Sequence, residues 1–218
     1  MKKWCTVSRH HFFFSYESMK KVLVLLTTIL FSMPMWAQNL TLLDSIKNAN
    51  ASVATLEADV HNHTKKTDKT IEKDGVFHYS SPDKFSAIFG NDSYMIINGD
   101  HIKVDIGMFH GSFRMWNGPV RSLTRAFLYA LQGRCQDLAE ENNFNLRMES
   151  DNSYHHVIFT TKKKILIGIG LKQAIFRYDV NSLLLKEIVL IDYKSSIDTY
   201  TLENEKHNVE IQESVFDI

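Results

Sequence analysis

The sequence predicts an α+β fold: one strongly curved antiparallel sheet, an incomplete β-barrel of about eleven strands with helices plugging its concave side. Three observations carry that expectation. Short alternating apolar runs, separated by turn residues, fill most of the chain. Helical spacing interrupts them only near the start and once in the middle. The run 75–89 places aromatic side chains on one face of a hairpin.

That hairpin organises the rest. Pro82 fixes its own φ and biases Ser81 away from helix, so Ser81-Pro82-Asp83 is a turn between two strands. Phe77, Tyr79 and Ser81 share one face, while Val76, His78 and Ser80 take the other. Phe85, Ala87 and Phe89 line up in the same way after the turn.

The N-terminus reads as a targeting segment. Lys20-Lys21 precede an apolar run from Val22 to Met33, followed by Pro34-Met35-Trp36-Ala37. This is the layout of a secretory signal peptide, with cleavage expected after Ala37. The run is shorter than the ~20 residues of a membrane span. Met19 begins a normal signal peptide by itself, so residues 1–18 are an upstream extension and 1–37 are expected to be removed. Removal takes Lys2, Lys3, Arg9, Lys20 and Lys21 from 25 basic residues and Glu17 from 25 acidic ones, leaving 20 and 24, a net charge of −4. It also removes Cys5 and leaves Cys135 alone, so no internal disulfide forms and stability rests on the core.

From 38 to 218 the chain is expected to form a single domain. Leu42, Ile46 and Ala49 make a helical stripe over 40–50. Leu56, Ala58 and Val60 alternate with Glu57, Asp59 and His61 as a half-buried strand, and the polar stretch Thr64–Asp74 is a turn or a fraying end. Asn98-Gly99 between Tyr94–Ile97 and His101–Ile106 is a strong hairpin signal. Gly107, Gly111 and Gly118 punctuate a loop region holding Phe109, Phe113, Met115 and Trp116. Pro119 then opens the clearest helix, with Leu123, Phe127, Ala130 and Leu131 as its stripe and Gly133 as its cap. A weakly patterned helix follows over Cys135–Asn142. Further strands are expected at Asn145–Glu149, His155–Thr161, Ile165–Ile169, Gln173–Tyr178, Leu183–Asp192, Ile197–Leu202 and Val209–Ile211.

Catalytic chemistry finds no foothold. No Gly-x-Ser-x-Gly, phosphate loop or CxxC motif is present, and no two carboxylates are placed as an acid–base pair. His61 and His63 share a strand face, yet no third ligand accompanies them, so no metal site and no cofactor are expected. His155 and His156 face opposite ways. Arg134 beside Cys135 would lower the thiol pKa slightly, but no histidine pairs with it, and a structural cysteine is the expectation. Equal numbers of basic and acidic residues give no footprint for nucleic acid.

Three segments together resemble the periplasmic outer-membrane lipoprotein-carrier (LolA-like) family. Leu56-Glu57-Ala58-Asp59-Val60 resembles its first strand. Gly75-Val76-Phe77-His78-Tyr79-Ser80-Ser81-Pro82-Asp83-Lys84-Phe85 resembles its glycine-hydrophobic…Pro-x-x-Phe signature, and Met95-Ile96-Ile97-Asn98-Gly99-Asp100 its next hairpin. The order of signals covers Leu40 to Ile218. The resemblance implies a single lipid-carrier domain over 38–218. Its half-barrel would hold acyl chains in an apolar cavity and deliver lipidated cargo toward the outer membrane. An inner-membrane donor and an outer-membrane acceptor would be its partners, in the periplasm of a Gram-negative bacterium. A monomer without catalytic activity is expected. The family's functional Phe falls on Phe85, whereas its functional Arg, just before the Pro, is replaced by Ser81. That departure points to a divergent carrier, with Arg114, Arg121 or Arg125 as candidate substitutes for the lost cation.

The expected lipid-binding residues are Phe77, Tyr79, Phe85, Ala87, Phe89, Ile102, Val104, Ile106, Leu123, Phe127 and Leu131. Phe85→Glu is expected to abolish lipid binding and leave a folded protein. The competing reading is a sensor or protein-interaction module on the same half-barrel with a filled core. A lipid or glycan hydrolase ranks behind both.

Overall fold

The computed structural model describes residues 40–90, 93–106, 109–114, 119–162 and 171–218; the side chains of 106, 109 and 119–124 lie outside that description. A first helix, α1, spans 40–51. Six strands follow as a meander: β1 (Thr55–Lys65), β2 (Thr70–Ser80), β3 (Lys84–Phe89), β4 (Ser93–Asn98), β5 (His101–Ile106) and β6 (Phe109–Arg114). Helices α2 (Pro119–Leu131) and α3 (Cys135–Glu141) lead to a second meander: β7 (Phe144–Ser150), β8 (Tyr154–Thr161), β9 (Leu171–Asp179), β10 (Leu185–Asp192) and β11 (Ile197–His207). A 3₁₀ turn, Glu213–Phe216, closes the chain.

The sheet runs β6-β5-β4-β3-β2-β1-β11-β10-β9-β8-β7, and all its pairs are antiparallel. The two meanders therefore meet in the middle, where β1 pairs with β11, and end at β6 and β7 as the outer strands. The sheet is curved and unclosed, as the sequence predicts.

One face of the sheet is apolar. Leu56, Ala58 and Val60 of β1 are buried, as are Phe77 and Tyr79 of β2, Phe85 and Ala87 of β3, Ile97 of β4 and Ile102 of β5. On the other half Phe159, Ala174, Phe176, Ile188 and Leu190 continue the same core. Helix α2 rests on this face, with Ala126 to Leu131 all buried. Gln132 reaches from the end of α2 to donate to the Pro82 carbonyl, tying the helix to the β2–β3 turn.

Two glycines permit close approaches. At Gly133 φ is +64°, and an added Cβ would stand 2.7 Å from the Ile46 carbonyl oxygen and 2.9 Å from Lys47 Cα, so α1 sits directly on the end of α2. At Gly75 an added Cβ would collide with the Ile88 carbonyl oxygen and stand 2.6 Å from the Phe89 ring. Phe89, paired across from Gly75, uses that space to lean over β2.

Several expectations need revision. β6 is a strand, not a loop; its Gly-Ser centre and exposed side chains hide the alternation. β1 and β2 run on through most of the stretch expected to be a turn or a frayed end, because backbone pairing from Thr64↔Ile71 to Lys65↔Thr70 needs no apolar side chains. β11 extends to His207, past a register shift where Asn204 takes φ 49°. Val209–Ile211 is not a strand. Asn208 pins the chain there: its side-chain oxygen accepts from Ala54 N–H at 2.7 Å and its own N–H donates to the Thr55 carbonyl at 2.8 Å. In the tail Phe216 is buried against β3 and β4, with Asn98 Nδ2 donating to the Phe216 carbonyl at 3.3 Å. The segment expected as a strand at Ile165–Ile169 lies outside the described residues.

Candidate functional site

The concave, helix-covered face is the candidate site. Its centre is a set of five rings from four elements. Phe77 lies 5.0 Å from Phe85, 6.1 Å from Phe89, 6.0 Å from Phe127 and 6.1 Å from Tyr200. Phe127 of α2 stacks on Phe85 at 5.4 Å and meets Tyr200 edge-on at 5.2 Å. Strand alternation brings Phe77, Phe85 and Phe89 to one face, and the β1–β11 pairing delivers Tyr200 beside them. Edge-to-face and stacked pairs of this kind contribute about 0.5–1.5 kcal/mol each beyond area burial.

The residues expected to meet lipid do assemble on one face, but mostly as packed core. Phe77 and Phe85 are 0% exposed, and Tyr79, Ala87, Ile102, Val104, Phe127 and Leu131 are also buried. Phe89 alone among the described candidates is half-buried. The side chains of Ile106 and Leu123 lie outside the described residues. The burial of Phe85 revises the expectation for Phe85→Glu: a carboxylate there would be desolvated with no partner, so loss of the fold is the expected result. The residues that ring the core half-buried are Leu42, Phe89, Phe144, Leu146, Met148, Leu171, Leu183, Leu184 and Tyr200. Most of these are absent from the sequence-derived set, because half-burial depends on where the curved sheet runs out of cover.

Polar groups mark both ends of this face. At one end the Glu205 carboxylate accepts from Lys186 Nζ at 2.8 Å and lies 3.3 Å from His207 Nε2. At the other, Asn62 and Thr64 continue the inward-facing row of β1, opposite Tyr200 and Asp198 of β11.

Two of the candidate substitutes for a cation at Ser81 are engaged elsewhere. Arg114 pairs with Asp100, and Arg125 with Glu141 at 3.1 Å; the Arg121 side chain lies outside the described residues. The turn is instead held by backbone: Ser81 N–H donates to the Ala54 carbonyl at 2.8 Å, and Gln132 binds Pro82.

His61 and His63 face carboxylates, Asp74 at 2.7 Å and Glu72 at 3.3 Å, on the outer face. No group of three metal-ligating side chains occurs among the described residues. Cys135, the first residue of α3, is buried. Tyr178 gives its one phenolic proton to the Ala130 carbonyl at 2.9 Å, so the thiol donates to the phenol oxygen at 3.2 Å. Burial pushes the Cys135 thiol up to about 12, and Arg134 turns away to Asp137 at 2.6 Å. Arg134 therefore does not lower the thiol pKa as the sequence suggests. At pH 8 a disulfide reagent is expected to label Cys135 only through unfolding, with a labelling rate that rises with denaturant; immediate stoichiometric labelling of the native protein would contradict this burial.

No protein-family model matches the sequence, and no curated protein does. Solved structures are similar to it at low identity. A LolA superfamily protein from Nitrosomonas europaea shares 9% identity over 80% of this chain and 97% of its own, with a TM-score of 0.41. A DUF1329 family protein from Desulfovibrio piger shares 10% identity over 81% and 95%, with a TM-score of 0.46. The Mycobacterium tuberculosis lipoprotein LppX shares 16% identity over 79% and 98%, with a TM-score of 0.37. The first of these bears the name of the family that the sequence resembles.

Proposed function

We propose that this chain is a non-enzymatic periplasmic carrier that takes the acyl chains of a lipoprotein, or another lipidated or apolar cargo, onto the concave face of its sheet and hands it on toward the outer membrane. One observation carries this reading. Helix α2 lays Phe127 and Leu131 onto an apolar sheet that does not close around it. The helix is held there by side-chain packing and by two side-chain hydrogen bonds, from Tyr178 to the Ala130 carbonyl and from Gln132 to the Pro82 carbonyl, not by the ladder of the sheet. An acyl chain offers the sheet the same kind of surface that α2 offers now. Burying about fifteen methylenes contributes roughly 12 kcal/mol at ~0.8 kcal/mol each, before the costs of association and of moving the helix. The resemblance of residues 56–60, 75–85 and 95–100 to the lipoprotein-carrier family supports the same reading. An inner-membrane donor and an outer-membrane acceptor would then load and unload the protein as a monomer.

The test uses the rim. Phe89 is half-buried, so Phe89→Glu leaves a charge that water can reach. This variant is expected to keep a cooperative thermal transition and to lose at least tenfold in affinity for a fluorescent fatty acid. Unchanged uptake would count against the concave face as the binding surface.

A second reading is favoured by the closeness of the packing. With Phe77 and Phe85 fully buried among their own neighbours, the same half-barrel serves as a sensor or protein-interaction module with a filled core. That reading predicts no lipid uptake and a protein partner recovered by crosslinking.

A further inference from the structure

The concave face is apolar along most of β1, and then it changes. Leu56, Ala58 and Val60 give way to Asn62 and Thr64, which keep the inward direction and are 7% and 9% exposed. Across from them on β11 stand Tyr200, opposite Asn62, and Asp198, opposite Thr64. Directly opposed side chains on one face lie about 4.5–5.5 Å apart at Cβ, and successive rows about 7 Å apart. The four residues thus form a compact polar patch of two cross-strand pairs. Buried polar side chains are costly on an apolar face unless hydrogen-bonded.

Their bonds within the protein leave capacity unused. The Thr64 hydroxyl has one proton and two acceptors in reach, Asp198 Oδ1 at 2.5 Å and Asn62 Oδ1 at 3.3 Å. The nearer, charged acceptor takes it. The Asn62 amide is then left with a single long bond, Nδ2 to the Thr199 carbonyl at 3.3 Å. Asp198 accepts on Oδ1, and its second oxygen keeps its lone pairs. The Tyr200 ring belongs to the aromatic cluster. Burial, with the Asp198 charge adding to it, pushes the Tyr200 phenol up, which keeps its hydroxyl a proton donor at any physiological pH. Acceptors at Asn62 and Asp198 and donors at Asn62 and Tyr200 therefore converge where the apolar trough ends.

We propose that Asn62, Thr64, Asp198 and the Tyr200 hydroxyl form a head-group subsite that takes the uncharged, hydroxyl- or amide-bearing end of an amphipathic ligand. The ligand's chain runs from there over Phe89, Phe77 and Phe127. This inference rests on the carrier reading. The chemistry sets the class of ligand: the Asp198 carboxylate accepts hydroxyl or amide protons, and Lys73, opposite Asn62 on β2, already donates to Ser93 Oγ at 3.1 Å. Tyr200 joins the two parts of the site, its ring to the chain and its hydroxyl to the head.

The experiment compares 1-monooleoylglycerol with methyl oleate, two neutral esters of the same chain that differ in hydroxyl donors. Binding to the full exported protein is measured by competition against a fluorescent fatty acid. The wild type is expected to prefer monooleoylglycerol about tenfold. Tyr200→Phe removes one hydroxyl and no ring, and Asn62→Leu removes the amide. Each is expected to cut the preference to about twofold or less while methyl oleate binding stays within about twofold. Because Tyr200→Phe is close to isosteric, it reads the hydroxyl even where Asn62→Leu loses the fold. Equal affinity of the wild type for both esters, or a preference kept in Tyr200→Phe, overturns the head-group subsite and leaves the carrier reading standing. Binding of neither ester by the wild type overturns both.

Discussion

Phe77→Ala is expected to lower the unfolding free energy by about 3–5 kcal/mol, the range for deleting a fully buried Phe from a packed core. Phe77 is 0% exposed and lies within 6.1 Å of four other rings, so its loss leaves a void bordered by β3, β11 and α2. Some of that void cannot close, because Phe85 and Phe127 are already stacked on each other at 5.4 Å. In urea the midpoint should fall while the slope stays constant, the sign of lost stability without a changed unfolded state. A loss below about 1 kcal/mol would mean that the ring does not sit in a dry, close-packed cluster. That result would point to a cavity already open beneath α2.

Gly133→Ala is the second large effect, expected at about 2–4 kcal/mol. Two costs coincide there. A Cβ is strained at φ +64°, by about 1 kcal/mol. The same Cβ would press on backbone atoms of α1, the Ile46 carbonyl oxygen at 2.7 Å and Lys47 Cα at 2.9 Å, which cannot rotate away as a side chain would. Gly90 supplies the control. Its φ is +59°, and an added Cβ meets nothing within 4 Å. Gly90→Ala should therefore cost about 1 kcal/mol, the conformational part alone. Chemical denaturation of the two variants gives the contact cost by difference, and amide exchange in α1 should quicken only in Gly133→Ala. Equal losses in both variants would contradict the close seating of α1 on the end of α2.

Much of this architecture was readable from local pattern. The hairpins β2–β3 and β4–β5 announce themselves through alternation, Pro82 and Asn98-Gly99, since those signals act within a few residues. β6 escaped because His110-Gly111-Ser112 has no apolar period and its strand order comes from pairing with β5. The ends of β1 and β2 escaped for a related reason: Asn62, Thr64, Asp74 and Glu72 break the apolar alternation although the backbone ladder continues. The aromatic centre was half legible. Phe77, Phe85 and Phe127 stand on clear strand and helix faces, whereas Tyr200 reaches them through the β1–β11 pairing of segments about 140 residues apart, which no local pattern encodes. The polar patch at Asn62 and Asp198 depends on the same pairing. Asn50 is a further residue that only the structure exposes. Buried near the end of α1, it donates to the Ile46 carbonyl and to the Leu183 carbonyl, both at 2.8 Å, and so ties the first helix to the β9–β10 turn.

The most direct test of a carrier is what the protein holds when it is purified. The chain, expressed from Met1 and purified from the periplasm without detergent, would be weighed by native mass spectrometry and then extracted with organic solvent. A carrier predicts an adduct of lipid or acylated peptide at close to one per protein, released on extraction, with a mass that names the cargo class. A clean apo mass, together with no uptake of a fluorescent fatty acid by the same preparation, would contradict the carrier and leave the filled half-barrel as an interaction module.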